Sequence, residues 1–252
     1  MESALVWLIY QRAPGVGRRR MAELMRTYPN PEEAWRLGAA ELAAVRGFRP
    51  ETVQALLAVR KSAEVRREAE RELERARRAG LRVLCYGTQG YPRRLAEIPL
   101  PPPVLYQYGP WEPGDGDGRP VVAVVGTRRP TAYGLAVAEQ LGRELAQLGA
   151  VVVSGMARGI DTAAHRGALS AGGTTVAVLG GGADVCYPQE SAALYRKMRE
   201  SGAIFSERPP GTAPRPENFP ERNRIISGLS HGVILVEAGE RSGTLITAAH
   251  AT

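Results

Sequence analysis

Apolar residues recur at two different periods along this chain, and the change of period divides it. Up to about residue 80 the spacing is helical. Leu5, Leu8 and Ile9 share one face, and Met21, Leu24 and Met25 share another. Pro31 after Asn30 predicts a short helix, with Glu32 and Glu33 suited to its first turn. One long helix is predicted from Pro50 to Ala79, ended by Gly80. Its second half is mostly charged, and its exposed face is expected to pair Glu64 and Glu68 with Arg67 and Arg71.

Residues 81–120 read as a junction. Leu81–Cys85 and Val104–Tyr106 are short strand patterns, Pro99–Pro103 is stiff and extended, and Gly114–Gly118 is a loop tip. That tip lacks the ligand spacing and closing Glu of an EF-hand. From residue 121 short apolar runs alternate with helical segments. Strands are predicted at Val121–Val125, Ala150–Val153, Thr174–Leu179, Ala203–Phe205 and Gly232–Val236. Helices are predicted near 131–148, 159–171, 190–201 and 219–229, with a last one from Ser242 or Gly243. Near-continuous apolar strands between helices mean an α/β fold, a parallel sheet with helices on both faces. The expected organisation is a small all-helical domain at 1–80, the junction at 81–120 and an α/β domain at 121–252.

Composition changes this picture little. The 252 residues are 44% hydrophobic, ordinary for a globular protein. No apolar run is long enough to span a membrane, and Met1–Trp7 lacks the basic region and cleavage site of a signal peptide, so a cytoplasmic soluble protein is expected. Two distant cysteines, Cys85 and Cys186, read as free thiols rather than a disulfide framework or metal site. The net charge of +7 suits a polyanion such as nucleic acid, although an arginine-rich proteome gives the same balance to any protein.

Candidate chemistry gathers at strand ends. The first strand runs into Gly126-Thr127-Arg128-Arg129, the second into Ser154-Gly155-Met-Ala-Arg158-Gly159-Ile-Asp161, and the third into Gly180-Gly-Gly182 with Asp184, Tyr187 and Pro188. A fourth turn, Glu237 to Thr244, carries Ser242, Gly243 and Thr244 into the last helix. Glycine allows close backbone approach, and helix starts offer free N–H groups to anions. Together the four turns predict a phosphate-bearing ligand. Neither the dinucleotide fingerprint nor the P-loop is present. Asp161 is a helix cap or part of an anion site. His165, one turn on, has no third metal ligand in view and is expected to pack or hydrogen bond.

A second basic cluster is Phe219-Pro-Glu-Arg222-Asn223-Arg224. Arginines at a helix start oppose the macrodipole, which suggests a binding role for Arg222 or Arg224. The alternative is a salt bridge to Glu207, Glu217 or Glu237. Phe219 either stacks on a base or staples the helix. In the helical region, Pro14-Gly-Val-Gly17 before Arg18-Arg-Arg20 is a hairpin turn expected to meet DNA, and Arg46-Gly-Phe48 is a degenerate copy.

From Tyr91 to the end, the order and spacing of these segments resemble the DNA-processing protein A family. The resemblance rests on Val125–Arg128 with Tyr133-Gly134, Ser154–Asp161 with Ala164-His165, Gly182–Asp184 with Tyr187-Pro188, and Ser206-Glu207. It continues through Phe219–Ile226, Val236–Ala238 and Ser242–Ala248. It implies an extended Rossmann-like domain that binds single-stranded DNA without hydrolysing it. The helical region is similar to the sterile-alpha-motif-like domain of many members. Further implications are RecA recombinase loading during natural transformation, in the presence of single-strand-binding protein, and a homodimer. No catalytic residue, metal or cofactor is implied. By position the DNA pocket comprises Arg128, the Ser154–Gly159 loop and Phe219–Arg224. The family is expected to continue past Thr252 with another strand and often a winged helix, so a C-terminal truncation is expected.

Two other classes stay open. One is a Rossmann-type enzyme cleaving nucleoside monophosphates at the ribose, though its P-G-G-x-G-T-x-x-E loop lacks the proline and final Glu here. The other is a nucleotide-sensing module.

Overall fold

A computed structural model describes residues 2–113 and 118–238. The fourth turn's Ser242, Gly243 and Thr244 lie outside the described residues, as does the helix they were expected to open. The chain forms two compact units, Met1–Tyr91 with Ala96–Leu105, and Pro92–Leu95 with Tyr106–Thr252.

The first unit holds α1 (Ser3–Tyr10), α2 (Arg18–Thr27), α3 (Pro31–Arg36), α4 (Ala39–Ala43), α5 (Pro50–Lys61), α6 (Ala63–Arg78) and β1 (Arg82–Cys85). Helix α1 is buried from Ala4 to Tyr10, and Trp7 donates its indole N–H to the Tyr86 carbonyl at 3.0 Å. Asn30 caps α3 by accepting from the Glu32 and Glu33 amides, and Pro31 takes the first helical position. The single helix expected over Pro50–Ala79 is two helices. Ser62 leaves the helical conformation, and its hydroxyl accepts from the Val65 amide, so it caps α6. Charge pairing on α6 also differs from expectation. Arg66 pairs with Glu70 and Arg78 with Glu74, while Arg12, just past the end of α1, reaches across to Glu72 at 2.5 Å. Gly80, at φ +71°, closes α6 and lets the Leu81 amide return to Ala76 O. The two hairpin turns are tied together by Arg20, which donates to Gly15 O and Gly47 O.

In sequence, α7 (Arg93–Glu97) and β2 (Val104–Tyr108) straddle the division. The second unit continues with β3 (Val121–Val125), α8 (Ala132–Gln147), β4 (Val151–Ser154), α9 (Ile160–Ser170), β5 (Thr175–Val178), α10 (Ala192–Ser201), β6 (Ala203–Ser206), α11 (Asn218–Leu229) and β7 (Gly232–Leu235). Its strands stand in the order β2-β6-β5-β4-β3-β7. Neighbours from β6 to β7 are parallel, and β2 runs antiparallel to β6 with Tyr106 opposite Ser206. The sheet is therefore mixed: the expected parallel part runs from β6 to β7, and β2 is added antiparallel beside β6.

Chain direction across this sheet locates the ligand crevice. Steps β3→β4→β5→β6 all move one way, and the β6→β7 step returns past β3. Right-handed crossovers then put α8, α9 and α10 on one face and α11 on the other. The reversal between β3 and β7 is a switch point, and ligands of open α/β sheets bind beyond the strand carboxyl ends there. Val124, Ala138, Val152, Ile160, Ala163, Ala164 and Ala168 form the core beneath α8 and α9. The two helices touch at glycines. A Cβ on Gly142 would strike the Ala164 carbonyl, and one on Gly167 the Glu139 carbonyl. That close approach brings the start of α9 up against the β3 turn.

Candidate nucleic-acid interface

Gly126 ends β3 where α9 begins, and a Cβ there would overlap Ile160. The Ile160 amide donates to Thr127 O at 3.3 Å, and the Thr127 amide to Glu237 O at 2.7 Å. Thr127 Oγ1 accepts from the Arg129 amide at 3.2 Å, closing the turn that carries both arginines outward. Thr131 then caps α8, accepting from Gly134 N at 3.0 Å, and donates to Glu237 together with its own amide. Glu237 thus braces the arginine turn and makes no ion pair with Arg222 or Arg224 among the described residues.

Beyond β4 the chain turns sharply. Met156 has φ +55°, a left-handed conformation rare for a residue with a side chain. Asp161 accepts from the amides on either side of it, Gly155 N at 3.1 Å and Ala157 N at 3.3 Å. Asp161 therefore caps the loop that precedes its helix and stands buried behind it. Gly159, at φ +85°, lets this loop lie on Thr127 and Pro130.

The two turns, with Leu179–Gly181, Val185, Tyr187, Pro188, Pro214 and Phe219, line a cavity of about 310 Å³. Arg128, Arg129 and Arg158 stand exposed at its wall. Arg128 lies 4.7 Å above the centroid of the Phe219 ring, within cation–π range. Tyr187, 47% exposed, sits beside the same ring at 6.0 Å. Gly180 gives Phe219 its place, since a Cβ there would press on the ring at 3.2 Å. Arg158 is engaged by Glu190, which draws the carboxyl below its ordinary range and the guanidinium above its own.

Expected site residues separate into two sets. Arg128, Arg129, Gly155, Arg158 and Phe219 line the cavity, with Gly126, Thr127 and Gly159 shaping its turns. Asn223 is half-buried on α11. Ser154, Arg222 and Arg224 are buried instead. Ser154 donates its hydroxyl to Val124 O at 2.6 Å. Arg224 pairs with Glu207 at 2.5 Å, the salt-bridge alternative. Arg222 reaches inward to the carbonyls of Gly155 and Val178, relieving the end of the sheet rather than facing outward. Helix α11 starts at Asn218, and Phe219 points into the cavity rather than stapling it. Met156 lines the cavity as part of the Ser154–Gly159 loop expected there, and Tyr187 and Pro188 join it without having been put forward as DNA contacts. Their signal was an aromatic and a proline a few residues past the triple-glycine turn.

Burial dominates the electrostatics beneath the floor. It lowers Arg222 to about 10, opposed by Asp161 and reinforced by Arg128. It raises the Asp161 carboxyl above its ordinary range, opposed first by Arg222. His165 is driven down to about 3 by burial and by Arg222, so its ring is neutral. Its Nδ1 meets Thr175 Oγ1 at 2.6 Å, and that hydroxyl donates to Val152 O. Among the described residues no three metal-ligating side chains group together, and no helix is long and apolar enough to cross a membrane.

Residues 82–252 match the model of a family described as DNA recombination-mediator protein A. A protein Smf of Synechocystis is 37% identical over 97% of this chain, and the chain spans 61% of that relative. A DNA processing protein DprA of Bacillus subtilis is 43% identical over 71% of this chain and 59% of its own length. The X-ray structure of DNA processing protein A from Streptococcus pneumoniae superposes with TM-score 0.80 at 30% identity, covering 100% of this chain and 83% of that one. A structure of the Helicobacter pylori protein, described by its single-stranded DNA binding mode, has TM-score 0.59 at 33% identity over 68% of this chain and 75% of that one.

Proposed function

The chain belongs to the DNA recombination-mediator protein A family, and we propose that it binds single-stranded DNA at the Arg128–Phe219 cavity. The observation that carries this is an exposed arginine over an aromatic ring at the mouth of a glycine-walled crevice. A ring and guanidinium offer a base a stacking surface, and Arg128, Arg129 and Arg158 offer its phosphates charge. Gly126, Thr127, Gly155 and Gly159 let the backbone come close. A base must be unpaired to stack on that surface, so a single strand is favoured over a duplex. The reading extends to the RecA-loading role in natural transformation, in the cytoplasm, with single-strand-binding protein and a second copy of the chain as partners. The protein acts by binding, without hydrolysing the strand and without a cofactor.

Fluorescence anisotropy tests the core of this reading. Labelled oligo-dT should bind with affinity that falls as salt rises, and blunt duplex should bind markedly more weakly. Equal affinity for the two would overturn the reading.

A further inference from the structure

We propose that Asp161 and Arg222 are positioning residues that hold the Gly155–Ala157 loop in its DNA-ready shape from beneath, without touching the strand. This rests on the single-stranded DNA reading for its functional consequence, and on geometry alone for the positioning.

Three observations converge on one residue. The Gly155 amide donates to Asp161 Oδ2 at 3.1 Å, and the Gly155 carbonyl accepts from Arg222 at 2.7 Å. A Cβ on Gly155 would collide with the Arg222 guanidinium, so the glycine is seated directly on that side chain. The two charges therefore grip the same residue from opposite ends of its backbone. The next residue, Met156, is the single non-glycine with positive φ among the described residues. An isolated left-handed residue with a side chain is unfavourable and persists only where its surroundings hold it. Asp161 supplies that hold by accepting the amides on both sides of Met156.

Arg222 also links this wall to the opposite one. It belongs to α11, and its guanidinium lies 5.8 Å from the centroid of Phe219, the ring that Arg128 covers from outside. Its remaining contact, Val178 O, is at the end of β5, which leads into the glycine turn beside Phe219. One buried side chain thus touches the floor, the loop and the stacking ring. Neither residue is on the cavity wall: Arg222 is 4% exposed and Asp161 6%. Among the described residues, Ser154, His165 and Arg128 are the polar side chains that bear on the pair, and of these three only Arg128 reaches solvent.

The test compares Asp161→Asn with Val152→Ala, a truncation in the same unit that leaves the loop's hydrogen bonds intact. Amide hydrogen exchange is followed on the protein without DNA, and oligo-dT binding is measured in parallel. Asp161→Asn should speed exchange at residues 155–158 by about tenfold or more relative to Val152→Ala. It should also weaken oligo-dT binding by about tenfold, while Val152→Ala leaves binding unchanged at temperatures where both are folded. Arg222→Lys keeps the charge but removes the guanidinium Nη1, the one nitrogen that donates to both carbonyls. It should move both readouts in the same direction, and it serves if Asp161→Asn does not fold. Loop exchange in the variants no faster than in Val152→Ala would overturn the positioning role. If the unmodified protein fails to bind oligo-dT, the DNA reading falls, and the exchange comparison still decides the positioning role.

Discussion

Arg60 in the first unit and Arg128 in the second each lie over an aromatic ring, and they do opposite things. Arg60 sits 5.3 Å from the Tyr10 centroid and 5.7 Å from that of Trp35. Each of its three nitrogens donates inward: to Tyr10 Oη at 2.5 Å, Leu37 O at 2.6 Å and Ala34 O at 3.0 Å. It closes the end of α3 from inside. Burial pushes the Tyr10 phenol up to about 12, with Arg60 pulling it back. Arg128 covers Phe219 at 4.7 Å, is exposed, and makes no hydrogen bond or ion pair among the described residues. A cation with its hydrogen-bonding capacity spent holds structure; one with that capacity unspent is ready for a ligand. Both units are rich in arginine, so the count says little and the state of the donors says much.

The sharpest way to break this contrast is to truncate both. Arg60→Ala should destabilise the first unit by about 2–4 kcal/mol, because it leaves a buried hydroxyl and two carbonyls without their charged donor. Urea unfolding followed by tryptophan fluorescence in a Trp111→Phe background reads this, since the remaining Trp7 and Trp35 both belong to that unit. Its oligo-dT affinity should not change. Arg128→Ala should keep stability within about 0.5 kcal/mol, as expected at an exposed site. It should weaken oligo-dT by about tenfold and lower the salt slope by about 0.7, the share of one phosphate contact. If both variants altered the same quantity, the contrast would be lost.

How much of this could be read beforehand depends on how local each cause is. The arginine turn was legible because an apolar strand, a glycine and two arginines are consecutive. The partners of Arg222 and Arg224 were not. They are the carbonyls of Gly155 and Val178 and the carboxylate of Glu207, brought near by strands far away in sequence. Arginine at a helix start did signal an unusual use, but one of the two buries its charge as an ion pair and the other as a brace. The break at Ser62 was local and was still hidden, because helical spacing and alternating charge continue across it. Arg20 looked like part of a basic patch and is spent on two turn carbonyls.

A smaller effect tests the same idea on a group without charge. His165 is a buried polar residue of the second unit whose use is internal. Its folded pKa, about 3, lies below the ordinary 6.5. Between those values the unfolded chain binds the proton and the folded chain does not, so stability falls as pH drops through that window. Above it the contribution is fully present. Asp161 nearby shifts the opposite way, so the comparison must be with a variant that removes only the imidazole. The stability advantage of the unmodified protein over His165→Gln should shrink from pH 7 to pH 4, by at most about 1.4 kcal/mol per unit. An advantage independent of pH would mean that the ring titrates normally and is not sealed.

The smallest expected effect concerns the most conspicuous charge pattern in the sequence, the Glu/Arg run of α6. Arg66 and Glu70 pair at 2.9 Å, but their side chains are 52% and 48% exposed. Water and salt screen such a pair, and ordering two long side chains offsets much of the attraction. A double-mutant cycle with Arg66→Ala and Glu70→Ala should give a coupling of about 0.3–0.5 kcal/mol. The coupling should fade in high salt, with no change in oligo-dT affinity. A coupling several times larger would mean that α6 relies on its charges, and donor use would then no longer separate the structural arginines from Arg128. A small one leaves the helix held by Ala69, Leu73 and Ala76, the buried face beneath the charges. In that case the dense charge of the first unit keeps a helix surface in water, and the sparse exposed charge beside Phe219 is left to meet a polyanion.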